Sequence, residues 1–199
     1  MAEHHLPSPL SPQAVRSLKV GDTVYLDGII FGIRDATLIR IFDKGQKPPA
    51  NIQGATLLHT APNVRKAGDG YEPVCIGTTT SMRMDRFTGP LLERYSIRAI
   101  LGKGGLSQTS VSLMQKYGAC YLAVVGGAAS LQTTQIEEIE EVYWEDLMPE
   151  CLWQIRYKGL GPLTVAIDSH GNNLYGDVSS EVERRRQKLY ARLDISENW

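Results

Sequence analysis

Apolar and polar positions divide the chain into a half with strand periodicity and a half in which strands and helices alternate. Over residues 21–33, β-favouring side chains run as Thr23, Val24, Tyr25, Leu26 and resume as Ile29, Ile30, Phe31. The intervening Asp27-Gly28 is a common two-residue turn, so the stretch predicts a hairpin. Residues 36–42 suit a short helix, and 44–51, with Gly45, Pro48 and Pro49, a loop. Residues 55–59 and 74–76 read as short strands bracketing a glycine-rich excursion at 68–70. In the second half, 97–101 and 120–125 are continuous apolar runs, each followed by glycines, with a helical segment over 107–117 between them. Strand, glycine turn, helix, strand predicts a parallel crossover unit and an α/β fold. Residues 135–141 are acidic, and 163–167 form another apolar strand ending at Asp168-Ser169-His170-Gly171. Residues 179–193 predict a closing helix with Ser180 as its cap and Glu181 and Glu183 in its first turn, which suits the helix dipole.

At 199 residues the chain suits one domain. With 21 basic against 22 acidic residues there is no broad electrostatic footprint, which argues against nucleic acid as a partner. The apolar runs fall far short of the roughly 20 residues a membrane helix needs. Residues 1–12 carry His4, His5 and three prolines but no basic start and apolar core of a secretory signal, so 1–17 is expected to be a loose arm before a domain over 18–195. Cys75, Cys120 and Cys151 are odd in number and lack metal-ligand spacing, which predicts reduced thiols in a cytoplasmic protein.

Three polar motifs follow strand-like runs, where a rigid scaffold commonly positions a site. Arg34-Asp35 could be no more than a surface ion pair, or Asp35 could cap the next helix. In residues 77–85, Gly-Thr-Thr-Thr-Ser-Met-Arg-Met-Asp, four hydroxyls could simply cap a helix. They could equally, with the Arg83 fork, hold a carboxylate beside a glycine that admits a ligand close to the backbone. Gly102-Lys103-Gly104-Gly105 lacks the spacing of a nucleotide phosphate loop, having Ile97 and Gly104 where that motif needs glycine and a hydroxyl. It leaves either a turn with a solvated lysine or an open Lys103 near a helix N-terminus that favours negative charge. Asp168, Ser169 and His170 have the residue types of a hydrolase triad, but consecutive residues point in different directions, so a turn or rim role is expected. The acidic run 137–141 matches no calcium loop and reads as a solvated face.

Taken in order, Arg34-Asp35-Ala36, Gly77 to Met84, Gly102 to Gly105 and the stretch from Gly161 to Asn172 resemble the β subunit, or C-terminal region, of class I fumarate hydratases and L(+)-tartrate dehydratases. Residues 135–144, and Met148-Pro149-Glu150 near Trp153, resemble the same family, so the likeness runs from about Leu18 to Tyr175. The resemblance implies a swivelling β/β/α domain paired with a larger α subunit, in an α2β2 assembly, whose own three cysteines bind a [4Fe-4S] cluster. The implied reaction is reversible hydration of a C4 dicarboxylate, fumarate to malate or tartrate to oxaloacetate, with the open iron as Lewis acid and a base removing the proton beside a carboxylate. Arg34, Arg83 and Lys103 match positions that bind substrate carboxylates, and Thr80 one that bonds substrate. Thr79 matches the proposed base, with Lys103 beside it in the catalytic set. Departures from the pattern are Leu38 for histidine, Ala61 for glycine and Thr78 for proline. They leave open another dicarboxylate, or a binding or regulatory module without turnover.

Overall fold

A computed structural model describes residues 1–125, 127 and 129–193 as a mixed α/β structure. Its elements run β1 (Glu3–Ser8), α1 (Pro12–Ser17), β2 (Thr23–Ile33), α2 (Asp35–Phe42), β3 (Thr56–His59), β4 (Asn63–Ala67) and β5 (Gly70–Cys75). A 3-10 helix (Ser81–Phe87) leads into α3 (Thr88–Tyr95), β6 (Ala99–Gly102), α4 (Gln108–Tyr117), β7 (Cys120–Val124), α5 (Ala129–Thr133) and β8 (Ile136–Tyr143). A second, short 3-10 turn (Glu145–Leu147) precedes β9 (Leu152–Ile167) and α6 (Leu174–Leu193).

Seven strands form one sheet in the order β1-β2-β3-β6-β7-β9-β8, and β9 pairs also with β2. Strands β2, β3, β6, β7 and β9 therefore make a closed circuit, and side chains alternate between its inside and its outside. Leu58, Ala99, Leu101, Cys120, Leu122 and Val165 pack together in one apolar cluster. Their neighbours Leu57, Ile100, Tyr121 and Ala166 pack in the other, with Leu38 and Ile41 of α2, Leu91 and Leu92 of α3, and Val111 and Met114 of α4. The parallel pairing of β6 and β7 across α4 is the crossover read from the sequence. Ser107 caps α4 by accepting from the Ser110 amide, and Gly118 ends it at φ +65°.

Three expectations are corrected. Asp27-Gly28 is not a hairpin turn, because Thr23–Ile33 is one continuous strand with irregular register around Leu26 and Gly28. Gly28 is needed there for another reason: at φ +117°, an added Cβ would sit 2.6 Å from the Ser8 carbonyl oxygen of the neighbouring strand. Residues 3–17 are not a loose arm. β1 pairs in parallel with β2, and Leu10 and Val15 are buried in the core. Nor does Ser180 cap the last helix, which begins at Leu174, where the Asn173 side chain accepts from the Tyr175 amide.

Candidate functional site

β2, β3, β6 and β7 run parallel, so their C-terminal ends gather at one end of the sheet, where parallel α/β sheets form crevices. Arg34 leaves β2, His59 ends β3 and Lys103 follows β6. β9 is antiparallel, so its N-terminal end, just after Glu150, arrives there too.

A short backbone ladder holds the hydroxyl-rich segment against the lysine loop. The Thr79 amide donates to the His59 carbonyl (3.0 Å), the Lys103 amide to the Thr79 carbonyl (3.2 Å), and the Ser81 amide to the Lys103 carbonyl (2.9 Å). Thr80 and Lys103 are thus paired as an isolated parallel bridge. Two glycines make the approach possible. Gly77 lies at φ +64°, where a Cβ would fall 2.2 Å from the Ala61 carbonyl oxygen, and a Cβ on Gly102 would fall 1.9 Å from Ser81 Oγ. Among the described residues, the side chains of Thr79, Thr80 and Lys103 form no hydrogen bond or ion pair.

Beneath this ladder lies a buried polar relay. His59 Nδ1 and Ser81 Oγ are 2.9 Å apart, and the Tyr121 hydroxyl donates to the same Ser81 Oγ at 2.9 Å. Burial pushes the His59 pKa down to about 4, against the opposing pull of the Asp35 carboxylate, so the ring is neutral at pH 7. Burial likewise drives the Tyr121 hydroxyl well above its usual range.

The arginines converge on Asp35. Arg34 Nε and Arg83 Nη2 each lie 3.1 Å from Asp35 Oδ2, and Arg34 Nε lies 3.3 Å from Glu150 Oε1. Asp35 is the first residue of α2 rather than its cap, and the first-turn amide of Ala36 donates instead to Glu150 Oε2 at 2.8 Å. The Arg34 and Asp35 side chains are about one-fifth exposed and that of Arg83 is half exposed, so this ion-pair cluster is open to a competing anion. Asp85 fixes the segment bearing Arg83. It accepts from the Ser107 amide (2.9 Å), Ser107 Oγ (2.7 Å) and Ser110 Oγ (2.8 Å). The helix N-terminus near Lys103 therefore already has a carboxylate of this chain against it, and the anion expected there from the sequence is Asp85.

Arg34 and Arg83 are thus joined through one carboxylate, and Thr79, Thr80 and Lys103 through one ladder, with residues 80–83 linking the two groups. The sequence carries no sign of the roles of Glu150, His59 and Tyr121, which build the support, and Ser81, expected among hydroxyls that cap a helix or hold a carboxylate, instead joins the buried relay. The triad-like residues lie elsewhere, since Asp168 follows the C-terminal end of β9, beside the starts of β2 and β7. Asp168 accepts from the amides of His170 and Asn172, an organised turn. Cys120 and Cys151 are buried and Cys75 partly so; burial raises Cys120 to about 12, and no group of three potential ligands gathers among the described residues. These residues do not fit an iron-sulfur cluster.

Residues 3–178 match the Fumarase C-terminus family. The chain is 38% identical over 185 residues to the L(+)-tartrate dehydratase subunit beta of Escherichia coli (strain K12), covering 92% of each protein. It is 36% identical to the putative L(+)-tartrate dehydratase subunit beta of Methanocaldococcus jannaschii, over 90% of this chain and 95% of that one. Against the putative fumarate hydratase class I of Geobacillus stearothermophilus it is 35% identical over 92% of its own length but 35% of the longer protein. With the family match spanning most of the chain and relatives aligned nearly end to end, this chain belongs to the Fumarase C-terminus family.

Proposed function

We propose that the chain is the β subunit of a hydro-lyase that adds or removes water across a C4 dicarboxylate, acting as an αβ assembly, α2β2, in the cytoplasm. The observation that carries this reading is the gathering of Arg34, Arg83 and Lys103 with two unpaired threonine hydroxyls at one end of the sheet. Two separated cationic centres suit a ligand with a carboxylate at each end. Arg34 and Arg83 would release part of their contact with Asp35 to take one carboxylate, and Lys103 with Thr80 would take the other. Fixed donors of this kind stabilise the extra negative charge that develops when the proton beside a carboxylate is removed. Thr79 stands in that set as the base, and because a threonine hydroxyl is a poor base unaided, a carboxylate of the α subunit would have to activate it.

The [4Fe-4S] cluster implied by the family would reside in that α subunit. A relative in which the matching stretch is 35% of a longer polypeptide supports a large partner for this chain. The closed strand circuit with helices packed on its outside supports assignment to the swivelling β/β/α type. A second reading, a dicarboxylate-binding module without turnover, draws on Leu38, which stands where the family has histidine and is wholly buried among apolar side chains.

Anaerobic hydration of fumarate and dehydration of L-tartrate by the reconstituted large subunit, with and without this chain, tests the proposal. Turnover only with both chains is expected. A stable cluster-bearing complex inert towards both substrates would favour the binding module.

A further inference from the structure

Beside Lys103, between the ends of β6 and β7 and helix α5, lies a cavity of about 130 Å³ whose lining includes Thr78, Lys103, Val124, Val125, Gly127 and Gln132. Two polar atoms of its lining residues are unmatched. Thr78 Oγ1 and Gln132 Oε1 are buried without a hydrogen-bond partner among the described residues, and Gln132 as a whole is 1% exposed. Buried polar groups are almost always paired, so two orphans on residues that line one cavity mark a place that still lacks a polar partner. Turning the amide does not remove the demand, because one of its ends occupies that position either way.

The chemistry of the lining narrows the occupant. A hydroxyl can donate and accept, as can a primary amide, and together they suit a neutral oxygen substituent. A phosphate or further carboxylate would need more positive charge than Lys103 supplies once that lysine holds a carboxylate. Val124 and Val125 give the cavity an apolar side, which suits a carbon linking the substituent to the frame.

We propose that this cavity is a specificity subsite, with Thr78 and Gln132 selecting a dicarboxylate that bears one extra oxygen substituent, of hydroxymethyl size, at the end held by Lys103. The inference rests on the dicarboxylate reading above and names its substrate class.

Calorimetric titration of the αβ complex with fumarate and with 2-(hydroxymethyl)fumarate tests it, on the wild type and on a Thr78→Val/Gln132→Leu variant that keeps side-chain shape. The expected result is about tenfold tighter binding of the substituted ligand by the wild type and a ratio near one in the variant. Equal binding of the two ligands, binding of neither, or a ratio that survives the double substitution would overturn the subsite. Preference without turnover of any dicarboxylate would sink the hydro-lyase reading and keep this one, whereas turnover without preference would do the reverse. A folded variant is verified by its denaturation midpoint, which is expected to hold or rise because two unmatched polar groups have gone.

Discussion

The carboxylates at one end of the closed strand circuit are treated in the opposite way from the threonines and lysine at the other. At the end away from the arginines, Asp168 is fully buried and accepts from the amides of Val20, His170 and Asn172 and from the Asn172 side chain. Asp22 there accepts from Ala2 (2.7 Å) and Lys19 (3.1 Å), and the Ala2 amide is the main reason its pKa is lowered. At the other end the hydroxyls of Thr79 and Thr80 and the ammonium of Lys103 form no hydrogen bond or ion pair among the described residues, and Arg83 is half exposed. Saturated polar groups hold a fold together, whereas groups held in place by backbone but unmatched at their tips are available to a ligand. Residue type alone does not separate the two, since a reader of composition would favour the Asp168-Ser169-His170 end.

The sharpest test of this division is Arg83→Ala. Turnover of the αβ complex is expected to fall by about 10³-fold or more, since the substitution removes a charge stabiliser. Its unfolding free energy should shift by no more than about 0.5 kcal/mol, as for an exposed side chain. A large loss of stability in urea titration, or failure of the two chains to co-elute, would move Arg83 to the structural side. Asp168→Ala is expected to do the opposite, costing about 3 kcal/mol in urea denaturation because four hydrogen bonds to a buried carboxylate are lost. If that variant folded normally and lost turnover instead, the contrast between the ends would fail.

His59 adds a pH signature at the arginine end. Its folded pKa of about 4 lies below the ordinary 6.5, so the unfolded chain binds the proton more readily. Its contribution is therefore complete above about pH 6.5 and is lost as the pH falls from there through about 4, by an amount on the order of 3 kcal/mol. His59→Gln should flatten that part of the stability profile relative to wild type, and an unchanged slope would show that the ring does not titrate this way. The smallest effect is expected for Asp85→Asn, about 1 kcal/mol, because the amide oxygen can still accept two of the three hydrogen bonds while the charge at the start of α4 is lost. Thermal denaturation would register it, and no change at all would mean that Arg83 is positioned by something else.

What the sequence made legible was local. The crossover over β6, α4 and β7 follows from apolar runs of strand length around a helix with its own cap and glycine stop. The five candidate site residues came from motif order, and all five lie near the same strand ends. What remained hidden depends on partners distant in sequence. Asp27-Gly28 looks the same whether it turns a chain or admits a neighbouring backbone, and only Ser8, 20 residues earlier, decides between them. The strand expected over 163–167 is the end of β9, which runs 16 residues through Gly159, Gly161 and Pro162, with a Cβ at Gly161 falling 2.6 Å from the Tyr25 ring. Glu150 carries no local mark of its task, because the Ala36 amide and Arg34 it serves lie more than a hundred positions away.

β9 also sets the order in which this protein can come into being. It is the strand that joins β7 to β2 and carries β8, and its last residue is Ile167. A ribosome must therefore deliver β9, more than a hundred residues after β2, before the circuit can close, and contacts of such long sequence separation slow folding. Until then β2 and β7 each expose an unpaired edge, the kind of surface that recruits other strands or chaperones. Glu150, synthesised just ahead of β9, reaches Arg34 only at that late stage, so the ion-pair cluster around Arg34 is completed with the last act of folding.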